Sequence, residues 1–235
     1  MYNYSMKLSV IVPVYNEENT VREILDKILS VSVDKEIIIV DDGSTDKTRE
    51  RLIDYSDKIG KAGQIRIVTH EKNLGKGRAV RTAIEFIQGD LAIIQDADLE
   101  YEPAEYIRLI DAIKYENADV VYGSRFLGKR HVTSRLHRLA NWVLTFLTNI
   151  LYGSNLTDMP TCYKLFKSEL LKNLKLESNG FTIDAEITAK LLKKGIKIPE
   201  VPISYRGRSY HEGKKITWKD GFAIMAILIK YRFLP

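Results

Sequence analysis

The chain has 235 residues, 45% of them hydrophobic, which is enough for one large domain or two small ones around a packed core. Its 36 lysines and arginines against 31 aspartates and glutamates leave a formal charge of +5, a modest basic excess that suits phosphate-bearing partners or an anionic membrane surface and gives no indication of nucleic acid. One cysteine, Cys162, excludes an intrachain disulfide, and with no signal peptide the expected location is the cytoplasm.

"KLSVIVPVYN" (7–16) reads as a strand halted at Pro13, and "TVREILDKIL" (20–29) as a helix with an apolar stripe at 21, 24, 25, 28 and 29. "KEIIIVDDGS" (35–44) is a near-continuous apolar run, the mark of a strand covered on both faces, and Ser44 or Thr45 can cap the helix that follows. "QIRIVTHE" (64–71) alternates as a third strand before the helix "GKGRAVRTAIEFI". "LAIIQDAD" (91–98) is a fourth strand, "PAEYIRLIDAIKY" (103–115) a fourth helix and "ADVVYGSR" (118–125) a fifth strand. Beyond residue 130 come a long helix (about 134–151), a short strand at "CYKLF" (162–166), a helix at 184–195, an edge strand at "KIPEVPISY" (197–205), a basic tail (206–221) and an apolar helix. No run reaches the ~20 apolar residues of a membrane span.

Alternating strands and helices imply a mostly parallel sheet, on which ligands bind beyond the carboxyl ends of the strands. The strand ends read "PVYNE", "DDGSTD", "HEKNLGKG", "DADLE" and "GSR". If the fourth strand stays extended, Asp96, Asp98, Glu100 and Glu102 crowd one face, where they raise one another's pKa or demand a cation; if it turns, they fan into solvent. "NLGKG" is not a phosphate loop, because Gly77 follows Lys76 where that motif needs Ser or Thr. A G-x-G-x-x-G fingerprint is absent after the first strand, and Tyr101 stands where an EF-hand needs Gly. A phosphatase with D-x-D behind a strand remains a competitor.

"VIVPVYNEE" (10–18), "IIIVDDGSTDKT" (37–48), "NLGKGRA" (73–79), "DADLEYEP" (96–103), "GSRF" (123–126), "TDMPTCYKLFK" (157–167) and "EVPISYRGR" (200–208) together resemble family 2 glycosyltransferases of the GT-A fold, and within them the polyprenyl-phosphate or dolichyl-phosphate sugar synthases. The resemblance implies an α/β GT-A domain over 1–205, with an acceptor loop and amphipathic C-terminal helix (206–235) in the same domain. It implies Pro13, Tyr15 and Glu17 around the nucleoside, Asp42 or Asp41 on base or ribose, and Lys76 near the nucleotide phosphates together with Asp96 and Arg78. Asp96, Asp98 and Glu100 match the family's metal set for Mg²⁺ or Mn²⁺, with Glu100 where mannose synthases often carry Gln. Glu102 matches no family role.

On the acceptor side, Arg125, Arg208 and, less closely, Lys214 match positions that grip a phosphate, with Arg135 or Arg138 near another. Asp98, Arg125 and Arg208 are therefore the expected catalytic residues. The basic cluster beside Trp142, Phe146 and Ile150 reads as an interfacial helix or as a core helix. The resulting expectation is a metal-dependent inverting transferase that moves a hexose from a nucleoside diphosphate sugar (GDP-mannose or UDP-glucose type) to a polyprenyl or dolichyl phosphate. It would sit peripherally on the cytoplasmic membrane face, with homo-oligomerisation left open. Transfer to a hydroxyl with Asp184 or Glu186 as base is the alternative within the fold; a phosphatase or a non-catalytic binding module lies outside it.

Overall fold

The computed structural model describes residues 6–59, 64–128, 131–132, 135–208, 215 and 218–234. The first half alternates β1 (Leu8–Val14), α1 (Val21–Ser30), β2 (Lys35–Asp41), α2 (Thr48–Ile59), β3 (Ile65–Thr69), α3 (Lys76–Ile84) and β4 (Leu91–Ile94). A 3₁₀ turn (Pro103–Glu105), α4 (Tyr106–Tyr115) and β5 (Val120–Ser124) follow. The second half contains β6 (His131–Val132), α5 (Arg135–Tyr152), β7 (Lys164–Lys167), α6 (Ser168–Lys172), α7 (Ile183–Lys193), β8 (Glu200–Pro202), β9 (Tyr205–Arg206) and α8 (Trp218–Phe233).

Seven strands form one sheet in the order β3-β2-β1-β4-β7-β5-β8. Six run parallel; β7 inserts antiparallel between β4 and β5. The continuous apolar runs occupy its centre. Ile37, Ile38, Ile39 and Val40 of β2 are all buried because helices cover both faces, and each such side chain contributes roughly 1.5–3 kcal/mol. On α1 the stripe Val21, Ile24, Leu25 and Ile28 faces this core.

Three local expectations are corrected. Pro13 does not halt β1, which continues to Val14 and pairs with β2 along its whole length. Ile11 accepts from Gln95 on the β4 side while Val14 accepts from Asp42 on the β2 side, so Pro13, two residues after Ile11, turns its missing N–H toward β4, which has already ended at Ile94. Helix α2 starts at Thr48 rather than behind Ser44 or Thr45; those two hydroxyl residues tie to Asn16 of the neighbouring loop instead. The expected edge strand 197–205 divides: β8 closes the main sheet, and β9 pairs with β6 in a separate two-stranded sheet.

A second, smaller core lies below the first. Leu144 and Met159 meet Ile224, Leu228 and Tyr231 of α8 and Ala185 and Ala189 of α7. The opposite faces of α5 and α8 leave Leu139, Trp142, Phe146, Ile150, Phe222, Ile229 and Phe233 exposed. No helix among the described residues is long and apolar enough to cross a membrane.

Candidate active site

The carboxyl ends of β1, β2, β4 and β5 open onto a cavity of about 680 Å³ that extends to α5, α7 and α8. The loops after β1 and β2 are knitted together before any ligand arrives. The Asn16 amide donates to Ser44 Oγ at 3.0 Å, Thr45 N to Asn16 Oδ1 at 2.8 Å, and Glu17 N to Thr48 Oγ1 at 2.8 Å. Asn16 holds φ = 49°, a conformation asparagine tolerates better than most residues.

Pro13, Tyr15, Glu17 and Asp42 line the cavity; Asp41 does not. Asp41 accepts the Ser44 amide at 3.1 Å and so serves the turn. Asp42 accepts from Leu74 N at 3.0 Å and Gly75 N at 2.7 Å, with His70 Nδ1 at 2.7 Å, which fixes the "NLGKG" loop against β2. That loop must be glycine-rich for steric reasons. Gly75 has φ = 99°, and a Cβ on Gly77 would stand 2.4 Å from the carbonyl oxygen of Ser178.

After Ile94 the chain does not remain extended. It turns through Leu99 at φ = 62°, which leaves Asp96, Asp98 and Glu100 on the cavity, each with a different partner. Asp96 meets Lys76 Nζ at 2.8 Å, Asp98 meets Arg208 Nη2 at 3.2 Å, and Glu100 accepts from Tyr205 Oη at 2.7 Å and from the Arg208 amide at 2.6 Å. Glu102 leaves the cavity and pairs with Lys27 of α1 at 2.8 Å. Burial, with Asp96 and Glu100 adding repulsion, pushes the Asp98 carboxyl up to about 7 against the opposing pull of Arg208. This wall is short of positive charge. Its hard oxygen donors fit Mg²⁺ or Mn²⁺ in the manner of a cation held by one or two carboxylates and a bound diphosphate. Among the described residues no three acidic, histidine or cysteine side chains enclose an ion by themselves.

Arg125 also lines the cavity, but its fork is engaged. Nε and Nη2 donate to Asp158 at 2.8 and 2.7 Å, the Arg125 backbone amide adds a third bond at 2.8 Å, and the guanidinium lies 5.0 Å from the Tyr205 ring centroid. Asp158 is fully buried, and Glu200 anchors its loop through the amides of Thr157 and Asp158. Burial raises Glu200 above the usual carboxylate range despite those bonds.

Of the two candidate bases, only Asp184 reaches the cavity. Lys164 Nζ lies 2.8 Å from one of its oxygens and Lys76 Nζ 3.7 Å from the other. Against desolvation, which alone would raise it, these lysines hold Asp184 below the usual range. Lys164 is itself fully buried and also donates to the Thr161 carbonyl. Glu186 is buried elsewhere, on the amides of Glu177 and Ser178, Lys190 and the Tyr231 hydroxyl.

Arg208 spans Glu17 and Asp98: Nη1 and Nη2 each lie 3.1 Å from a Glu17 oxygen. Lys215 reaches the same carboxylate at 2.7 Å and the Tyr15 carbonyl. Desolvation notwithstanding, these two cations hold Glu17 below its ordinary pKa. The side chain expected beside the nucleoside therefore also ties the C-terminal segment to the β1 loop. Arg78 is exposed on α3 and absent from the cavity lining, as is Arg138 on α5. Lys214 and the side chain of Arg135 lie outside the described residues.

Sequence reasoning missed Asp158, Lys164, Glu200 and Tyr205 as parts of this site. Asp158 and Tyr205 stand inside "TDMPTCYKLFK" and "EVPISYRGR", and an acidic residue in a segment otherwise destined for the core was the available signal.

A sequence model described as "Glycosyl transferase family 2" matches residues 9–175. The chain is 31% identical to the glycosyltransferase AglJ of Haloferax volcanii over 85% of its own length and 63% of that protein. It is 30% identical to the dolichol-phosphate mannosyltransferase of Pyrococcus furiosus over 90% of its own length and 61% of the relative. It therefore spans less than two thirds of both relatives. A solved structure of glucosyl-3-phosphoglycerate synthase from Mycobacterium tuberculosis, in complex with Mn²⁺, UDP and phosphoglyceric acid, matches with a TM-score of 0.71 at 19% identity, covering 98% of this chain and 80% of that one.

Proposed function

The chain belongs to glycosyl transferase family 2, and from that premise we propose that it moves a hexose from a nucleoside diphosphate sugar to a polyprenyl phosphate at the cytoplasmic membrane face. The observation that carries this reading is the state of Asp184. It is the α7 carboxylate in the cavity, and two lysines hold it ionised and below the usual range. A base of depressed pKa is a poor acceptor for a hydroxyl proton. A phosphate acceptor is already an anion and needs cations rather than a base.

The nucleoside diphosphate enters along Pro13, Tyr15 and Asp42, with Lys76 beside the phosphates. Asp96 and Asp98 would hold Mg²⁺ or Mn²⁺, which when bound neutralises the diphosphate as it leaves. Arg208, already on the cavity wall, exchanges Glu17 for the acceptor phosphate, assisted by Lys214 and Lys215, and aims one phosphate oxygen at the anomeric carbon from the side opposite the diphosphate. Arg125 contributes the part of its guanidinium that faces the cavity and steadies Tyr205. The C1–O bond to the diphosphate breaks as the new C1–O bond forms, so the configuration inverts.

The exposed faces of α5 and α8, with Arg138, Lys230 and Arg232 near them, support peripheral attachment to an anionic lipid surface. Incubation with a panel of nucleotide sugars, Mg²⁺ or Mn²⁺ and short polyprenyl phosphates should yield a lipid-linked sugar detectable by mass. No such product in any combination would overturn the reading; glycosylation of hydroxyl acceptors, abolished by Asp184→Asn, would replace it with the base-catalysed alternative.

A further inference from the structure

The resemblance to polyprenyl-phosphate sugar synthases implies Glu100 as a third metal ligand, yet the side chain is engaged in another task. Oε2 accepts the Tyr205 hydroxyl at 2.7 Å and Oε1 accepts the Arg208 amide at 2.6 Å, while the Glu100 carbonyl accepts the Arg206 amide at 3.0 Å. Regular pairing holds only the start of this segment: the two residues of β9 pair with β6, and Tyr205 forms an isolated antiparallel bridge with Tyr101, so among the described residues the Arg208 amide depends on Glu100. Each Glu100 oxygen already serves one donor, so rotating the carboxylate toward an ion at Asp98 would pull it off the Tyr205 hydroxyl or the Arg208 amide and cost a charged hydrogen bond.

What this clamp delivers is Arg208. With its backbone fixed to Glu100, the guanidinium is set between Glu17 at 3.1 Å and Asp98 at 3.2 Å. Tyr205 transmits the same restraint sideways: its ring packs edge-on against Tyr101 at 5.2 Å and under the Arg125 guanidinium at 5.0 Å. Asp98 keeps its own orientation through the backbone amide of Glu100 at 3.1 Å, a bond that no change of the Glu100 side chain removes.

We propose that Glu100 is a positioning residue, which with Tyr205 clamps residues 205–208 so that Arg208 stands at Asp98, rather than a ligand of a divalent cation held by Asp96 and Asp98. What Arg208 then grips rests on the phosphate-acceptor reading above; the assignment of Glu100 does not.

The two roles differ in sign. Arg208 competes with a cation for Asp98, so loosening the clamp leaves Mn²⁺ affinity unchanged or raises it, whereas removing a ligand lowers it. The test is Mn²⁺ titration of the whole chain by electron paramagnetic resonance, on wild type, Asp98→Asn, Glu100→Gln and Tyr205→Phe. Asp98→Asn should weaken Mn²⁺ binding about tenfold or more, while Glu100→Gln and Tyr205→Phe should bind it at least as tightly as wild type. With a short polyprenyl phosphate, the latter two should raise the acceptor KM about tenfold, the scale of one hydrogen bond to a charged acceptor, and change kcat less. Together they should do little more than either alone, and trypsin should cut after Arg208 faster in both. Mn²⁺ binding weakened in Glu100→Gln as much as in Asp98→Asn would make Glu100 a ligand and overturn the proposal, as would an unchanged rate of tryptic cleavage in both variants. If wild type glycosylates no polyprenyl phosphate, the proposed function falls, while the Mn²⁺ and trypsin measurements still decide Glu100.

Discussion

Replacing Asp158 with asparagine tests what the Arg125 charge is for. The Arg125–Asp158 pair is buried on both sides, with three hydrogen bonds of 2.7–2.8 Å and Asp158 at 0% exposure. Asparagine keeps the shape but leaves a buried guanidinium without its counter-ion, a change that costs about 3–5 kcal/mol when one partner of such a pair is removed. For a domain of this size that is a fall of roughly 6–20 °C in Tm. Urea unfolding followed by circular dichroism should show the midpoint falling with an unchanged slope. The double variant Arg125→Met/Asp158→Leu, which removes both charges, should recover much of the loss, because the desolvation of two ions disappears with their attraction. Its acceptor KM then reports how much of the phosphate grip belonged to Arg125 and how much to Arg208. Asp158→Asn with less than about 1 kcal/mol of destabilisation would refute the reasoning, since a pair so cheap to break is acting as an exposed one.

Gly77→Ala places a methyl 2.4 Å from the Ser178 carbonyl; overpacking of this kind costs about 1–3 kcal/mol, and nucleotide affinity measured by calorimetry should fall as the "NLGKG" loop shifts. Glu36 is 6% exposed, and although burial would raise its pKa, the bonds from Ser9, the Gln88 amide and Lys7 hold it below the usual range. Its stabilisation is therefore complete above the unfolded value, about 4.3, and lost as pH falls through the lower folded one; Glu36→Gln should lower Tm at neutral pH and flatten its decline below about pH 4. Trp142 and Phe146 stack at 5.2 Å on the exposed side of α5, 57% and 51% exposed. Trp142→Ser/Phe146→Ser should reduce flotation with anionic vesicles about tenfold or more, on the scale of burying two aromatic side chains, and unchanged flotation would remove α5 from the membrane surface.

The order of elements was legible because it depends on local periodicity. The short β-branched run "IIIV", bounded by turn residues, reads as a strand covered on both faces, and the stripe on α1 as a helix face turned to a core. The cavity position was legible too, since a mostly parallel sheet gathers its strand ends on one side, whatever the side chains. What the sequence could not show is which charge meets which. Spacing placed Asp96, Asp98 and Glu100 in one acidic run, but the chain leaves the strand after Ile94 and turns at Leu99, and the three meet Lys76, Arg208 and Tyr205, partners 20, 110 and 105 residues away. Arg125 looked like a free phosphate grip until Asp158 came within 2.7 Å of it across 33 residues. Pairing at a distance is set by how loops pack on the finished sheet, and hydrogen-bond length leaves a carboxylate only a few tenths of an ångström in which to choose its cation. Motifs therefore identified the ingredients of this site, and only the tertiary structure decided which of them remain available to a substrate.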